Sequence, residues 1–213
     1  MSEPRGDLQP VEAAVTARVV AVPLEDVADL ETLWLGLGGA GAFTLVALAD
    51  PEDERDVAFL GADGALHAAS DLPGLRAYLG SGDAPPVEGA TGWADVVADA
   101  DALDLEPYED NVSDLDALGP LIASTLDRDA AERLLAGQSL LVEIAAWLRD
   151  EQTLRLLSDD EPLGRFLVGA VSDVAAASSA GLSRLADEDL DDLREAWAQV
   201  LQRLASRVVW VDG

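Results

Sequence analysis

The sequence predicts an α+β fold, an N-terminal antiparallel β-meander packed against C-terminal helices. Three observations predict it. Short apolar runs, TARVVAVP (16–23), AFTLVALA (42–49), DVAFL (56–60) and ALHAA (65–69), the first of them β-branched, fall early in the chain, and most are set apart by glycine or aspartate. From about residue 113, leucine and other apolar residues recur at spacings of three and four. Hydrophobic residues make up 49% of the 213 residues, enough for a packed core despite a formal charge of −29.

The elements follow in order. Residues 1–14 are polar, with Pro4, Gly6 and Pro10, and are expected to form a flexible leader. Residues 15–213 are expected to form a single α+β domain, β-rich over 16–80 and helical over 93–208. The segment 25–35 fits a short helix or an approach to a strand equally. GLGGAG (36–41) reads as a flexible turn and DPEDER (50–55) as an acidic loop. Asp63-Gly64 is a strong hairpin signal, because both residues tolerate positive φ. A helix starts after Ser70 or Asp71, with Pro73 in its first turn and Leu72, Leu75, Tyr78 and Leu79 on one face. SGDAPPVEGATG (81–92) is a loop, and 93–103 a short helix.

From about residue 113 the chain reads as helical. Ser113 and Asp116 imitate a capping box ahead of Leu115, Leu118, Ile122 and Leu126, with Gly119-Pro120 as an interruption. Asp127 or Asp129 caps the next helix, which runs to about Asp150 with Leu134, Gln138, Leu141, Ile144 or Ala145, and Leu148 along its apolar face. LGRFLVGAV (163–171) is a short apolar helix after Pro162, and ASSAGLS (177–183) is small and flexible. The last helix carries Leu190, Leu193, Trp197, Val200 or Leu201, Leu204 and Val208. Its acidic start, Asp187 to Asp192, and its Arg203 and Arg207 complement the helix dipole. That stripe needs a cover: the rest of the chain, a partner, or a second copy in a homodimer.

Composition excludes several function classes. The 13 cations are all arginine, against 42 acidic residues. A surface this acidic repels phosphate, so neither nucleic acid nor an anionic membrane is an expected partner. With no cysteine there is no disulfide, thiol nucleophile or thiolate zinc site. The first residues lack the basic and apolar regions of a signal peptide. No stretch approaches the ~18 apolar residues of a membrane span. A soluble cytoplasmic protein is the expectation. Adaptation to high salt, or GC-rich coding, would also account for the arginine and aspartate bias.

Catalytic and cofactor motifs do not stand up. Gly36, Gly38 and Gly41 match the glycine spacing of a dinucleotide loop, but a β-rich run follows where a helix N-terminus is needed to hold the pyrophosphate. Calcium loops starting at Asp99 or Asp187 would place Asp104 or Asp192 where a sharp turn needs glycine. His67 is the only histidine, and Gly137-Gln138-Ser139 lacks the second glycine of a nucleophile elbow. No enzyme, metal or cofactor is expected. Of the five tryptophans, Trp147 and Trp197 fall on helix stripes, whereas Trp34 and Trp210 could anchor a partner.

The segments GAFTLVALA, VAFLGADGALHAASDLPGLRAYL and GWADVV resemble the actinobacterial SatS-type protein-export chaperone family. The resemblance rests on Gly41, Phe43, Thr44 and Leu45; on Phe59, Leu60, Gly61 and Gly64; and on Ala77, Tyr78 and Leu79. Glu109-Asp110-Asn111-Val112, Pro162-Leu163-Gly164 and Trp197 continue it, so that it spans roughly residues 20–207. It implies an α+β domain without catalysis, apolar grooves that hold unfolded export clients, and a SecA-type export motor as a partner. A holdase needs apolar surface for its clients and strong like charge for solubility. The competing reading is an acidic, non-catalytic adaptor that docks one partner; an enzyme with a carboxylate site ranks last. If the domain has a client groove between meander and helices, the expected lining is Trp34, Leu35 and Phe166, as exposed apolar residues.

Overall fold

The computed structural model describes residues 21–48, 56–123, 126–171 and 190–211. The expected leader, most of the expected strand 16–23, the acidic loop 50–55, the segment 177–183 and the acidic residues 187–189 lie outside them.

In chain order the elements are β1 (Val22–Pro23), β2 (Glu31–Leu37), β3 (Ala40–Ala47), β4 (Ala58–Phe59), β5 (Gly61–Ala62), β6 (Ala65–Ala68), α1 (Leu72–Ser81), α2 (Trp93–Ala98), β7 (Leu103–Asp104), β8 (Val112–Asp114), α3 (Arg128–Trp147), α4 (Glu151–Leu156), α5 (Pro162–Arg165), α6 (Leu190–Ala205) and β9 (Val208–Trp210). A π-helical stretch, Phe166–Val171, continues α5. The fold is α+β, with sheets early and helices late.

The central sheet has the order β4-β3-β2-β8. Strands β2, β3 and β4 form the expected antiparallel meander. Leu60 then carries the chain from one sheet to the next. Its N–H donates to the Leu45 carbonyl and its own carbonyl accepts from His67. Beyond it, β5 and β6 form a hairpin closed by Asp63 and Gly64, both at positive φ as their sequence predicts. Strand β9 adds to β6 in parallel, giving the order β5-β6-β9.

Three sequence expectations are corrected here. Ser113 does not cap a helix: Val112–Asp114 is strand β8, parallel to β2 through the pairs Trp34–Val112 and Leu35–Ser113. The expected helix over 115–126 is a 3-10 stretch at Gly119–Ala123, because Pro120 cannot supply the N–H that an α-helix needs. Its leucines, Leu115 and Leu118, are buried all the same. Val208 leaves the helix stripe and begins β9.

Residues directly opposed across an antiparallel pair share a face. Leu33, Leu35, Leu37, Ala42, Val46 and Phe59 therefore point one way, into a core with Leu134, Leu141 and Ile144 of α3 and Trp197 of α6. Leu45, Ala47 and Ala58 point the other way, into a second core with Leu75 and Leu79 of α1, Val96 and Leu103. The sheet is thus the middle layer between two apolar cores. The stripe on α6 is covered by this chain itself: Leu193, Trp197, Val200, Leu201 and Leu204 are buried, and the Trp197 indole donates to the Leu115 carbonyl at 3.3 Å.

Side-chain caps fix the starts of α1, α3 and α4. Asp71 accepts from Gly74 N–H at 2.7 Å and Asp127 from Ala130 N–H at 2.9 Å, one resolution of each pair the sequence left open. Asp150 caps α4 and also receives Arg203 of α6 at 2.6 Å. Burial pushes the Asp150 carboxyl upward; hydrogen bonds from Arg203 and Thr153 outweigh that and hold it below the ordinary carboxylate value.

Candidate functional site: a groove between the sheet and helix α3

Strand alternation places Leu33 of β2, Val46 of β3 and Phe59 of β4 side by side on one face. Helix α3 crosses that face, but not tightly along its whole flank. Ala136, Ser139, Leu140 and Glu143 lie three, one and three residues apart, so they form one side of the helix. Between this side and the sheet runs a groove of about 280 Å³. Leu33, Val46 and Phe59, each almost fully buried, make its floor. Val57 and Leu48 extend the apolar wall, and Leu48 is 48% exposed. At the β8 end the lining turns polar, with Asp110, Asn111 and Ser113 beside the exposed Val112.

Hydrogen bonding holds that polar end in place. The Asn111 amide donates to Glu31 on β2, and β8 itself is anchored to β2 by the parallel ladder. Phe59 is fixed from behind by an edge-on contact with Trp147, their ring centres 5.6 Å apart. The groove is therefore a shaped apolar trough with a rigid floor and an acidic rim formed by Asp110 and Glu143. Among the described residues neither carboxylate has an ion-pair partner.

The residues expected to line a groove are placed elsewhere. Leu35 is 0% exposed, because it alternates with Leu33 and Leu37 on the buried side of β2. Phe166 is 1% exposed and belongs to the same core. Both are core residues, so the expectation that they are exposed is corrected. Trp34 points to the opposite face of the sheet and is half-buried, its indole lying across Gly41, where an added Cβ would come within 2.6 Å of Nε1. The three do not come together. The groove's own residues come from five segments, on β2, β3, β4, β8 and α3, and of these Phe59 and the Val112 stretch fell in motifs noted in the sequence.

The other candidate constellations resolve into structure. In GLGGAG, Gly38 and Gly39 form a tight two-residue hairpin at φ +66° and +79°, with the strands running into it from both sides. Their N–H groups are already taken by Asp116, at 3.1 and 2.8 Å, which leaves no phosphate cradle there. His67 sits on β6 with Nδ1 2.7 Å from the Tyr78 hydroxyl of α1. Burial lowers the His67 pKa from its ordinary 6.5, while Asp63 pulls the other way. Among the described residues no three His, Cys, Asp or Glu side chains converge as a metal-binding group, and no helix is long and apolar enough to cross a membrane.

Comparison with known proteins matches the model of the SatS C-terminal domain to residues 32–205. Among solved structures, the crystal structure of a SatS C-terminal domain in complex with bromine aligns with a TM-score of 0.60 at 18% identity, covering 85% of this chain and 94% of that one. At that identity the structural likeness is one of fold. No curated protein matches.

Proposed function

The chain belongs to the SatS C-terminal domain family, and from that premise we propose that it is an ATP-independent cytoplasmic chaperone, a holdase, for unfolded export clients of a SecA-dependent pathway. The observation that carries this reading is the groove between the sheet and α3, apolar in its floor and open at Leu48 and Val112. At about 280 Å³ it is slightly smaller than the ~300–1,000 Å³ of pockets that enclose a whole small molecule. It suits two or three side chains of an unfolded segment.

The energetics fit a holdase. Burying one aliphatic side chain contributes about 1.5–3 kcal/mol, so two or three give roughly 3–9 kcal/mol gross. Lost freedom of the client offsets at least about 4 kcal/mol of that. The grip is then weak and reversible, and release needs no nucleotide. The charge of −29 keeps the protein and its loaded clients apart in solution. Like charge resists co-aggregation. On this reading the protein performs no catalysis.

One observation favours a second reading, an adaptor with a fixed partner. Val209 and Trp210 are 45% and 43% exposed on β9, the last strand of its sheet. Client range separates the two. Several unrelated precursors, diluted from denaturant without ATP, should each be kept from aggregating at near-stoichiometric ratios. If the folded protein protects none of them, the adaptor reading replaces the holdase.

A further inference from the structure

We propose that the groove selects by charge as well as by hydrophobicity, and that its occupant is an extended segment in which arginine or lysine flanks a short apolar run. The inference rests on the holdase reading and names the chemistry of what the groove holds.

The argument is one of complementarity. The floor, Leu33, Val46 and Phe59, offers only hydrocarbon, so it takes apolar side chains. Among the described residues, the charged groups lining the groove are Asp110 at its β8 end and Glu143 on α3. Both are exposed, and among the described residues no arginine lines the groove to neutralise them. An apolar segment with acidic flanks would set its charges against these two carboxylates. One with basic flanks would set a cation against each. Asn111, Ser113 and Ser139 supply neutral hydrogen-bonding groups beside them, able to meet the polar backbone of an extended chain.

The selectivity is local, over and above the attraction of the whole acidic protein for any cation. Exposed pairs contribute about 0.2–1 kcal/mol each. Two such pairs predict a preference of roughly two- to thirtyfold for basic over neutral flanks at low salt. The preference fades as ionic strength rises and the Debye length falls below ~10 Å.

The test uses the full chain and three fluorescent peptides that share one apolar core and differ only in flanks of Arg, Gln or Glu. Binding is read by anisotropy. The wild type should bind in the order Arg, Gln, Glu. The double variant Asp110→Asn/Glu143→Gln should lose most of the preference for Arg over Gln while binding the Gln peptide as before. A control, Asp99→Asn/Asp101→Asn, makes the same change in net charge away from the groove and should keep the preference. Equal binding of all three peptides overturns the proposal. So does a preference that survives in the groove variant or falls equally in the control, since the attraction would then be global. Aggregation suppression measured on the same variants separates this from failure of the holdase reading. If clients are protected without charge preference, only the present inference falls. If clients are not protected at all, the reading beneath it falls as well.

Discussion

Asp150 is the side chain whose removal should cost the fold most for its size. It is 5% exposed, caps α4 through the Thr153 N–H, accepts from the Thr153 hydroxyl at 2.8 Å and pairs with Arg203 at 2.6 Å, which ties α4 to α6. Asp150→Ala removes all of this. Loss of an N-cap costs about 1 kcal/mol. Removing one partner of a fully buried pair costs about 3–5 kcal/mol. Arg203 is 31% exposed and can turn to water, which reduces that part to about 1–2 kcal/mol. The sum is about 2–3 kcal/mol, or a fall in Tm of roughly 4–12 °C for a domain of this size. Urea unfolding at pH 7 reads it directly.

The sign with pH is also fixed. The carboxyl titrates below its ordinary 3.8 in the fold, so its contribution is complete above that value and is lost as pH falls through the folded pKa. The gap between wild type and Asp150→Ala should be constant from pH 7 to about 5 and close below about 4. A gap under about 0.5 kcal/mol at pH 7, or one that stays open in acid, would refute the assignment.

Three further outcomes follow from the same geometry. Phe166→Ala should cost about 3–5 kcal/mol in urea unfolding, as a core truncation; a stable variant with weakened client binding would instead restore Phe166 to a surface role. The single histidine gives one NMR titration, whose midpoint should lie below 6.5 and move lower in Asp63→Asn, because Asp63 is the charge that raises it. Since the fold favours neutral His67, acidification below 6.5 should cost stability through this group; an upward midpoint would reverse that sign. Asp116→Ala should speed amide exchange at Gly38 and Gly39 and cost about 1–2 kcal/mol, whereas unchanged exchange would mean the hairpin closes without its clamp.

Local chemistry carried much of the fold. Asp63-Gly64, the Asp71-Pro73 helix start and the stripe on α6 each depend on neighbours in sequence, and each forms where the sequence places it. Strand β8 does not work that way. Its three residues pair with β2, whose partners lie 78 positions back, and nothing near Ser113 announces that. Leu115, Leu118, Ile122 and Leu126 kept a helical spacing because they line a core, not because they share a helix. The groove was hidden for a similar reason. Leu33, Val46, Phe59 and Leu140 look like ordinary core residues in isolation, and only the crossing of α3 over the sheet leaves space between them. Leu35 was misplaced because 25–35 did not decide between helix and strand. Once β2 is a strand, alternation with Leu33 and Leu37 buries it.

The central claim, that the groove is where clients are held, is tested most directly by filling it. Ser139 is exposed on the groove side of α3, so Ser139→Trp adds an indole into the trough without disturbing the core. Wild type and variant, matched for far-UV circular dichroism and Tm, are compared for suppression of precursor aggregation without ATP. The account predicts near-stoichiometric protection by the wild type and at least a severalfold weaker effect from Ser139→Trp. Undiminished protection by a folded Ser139→Trp variant would contradict it.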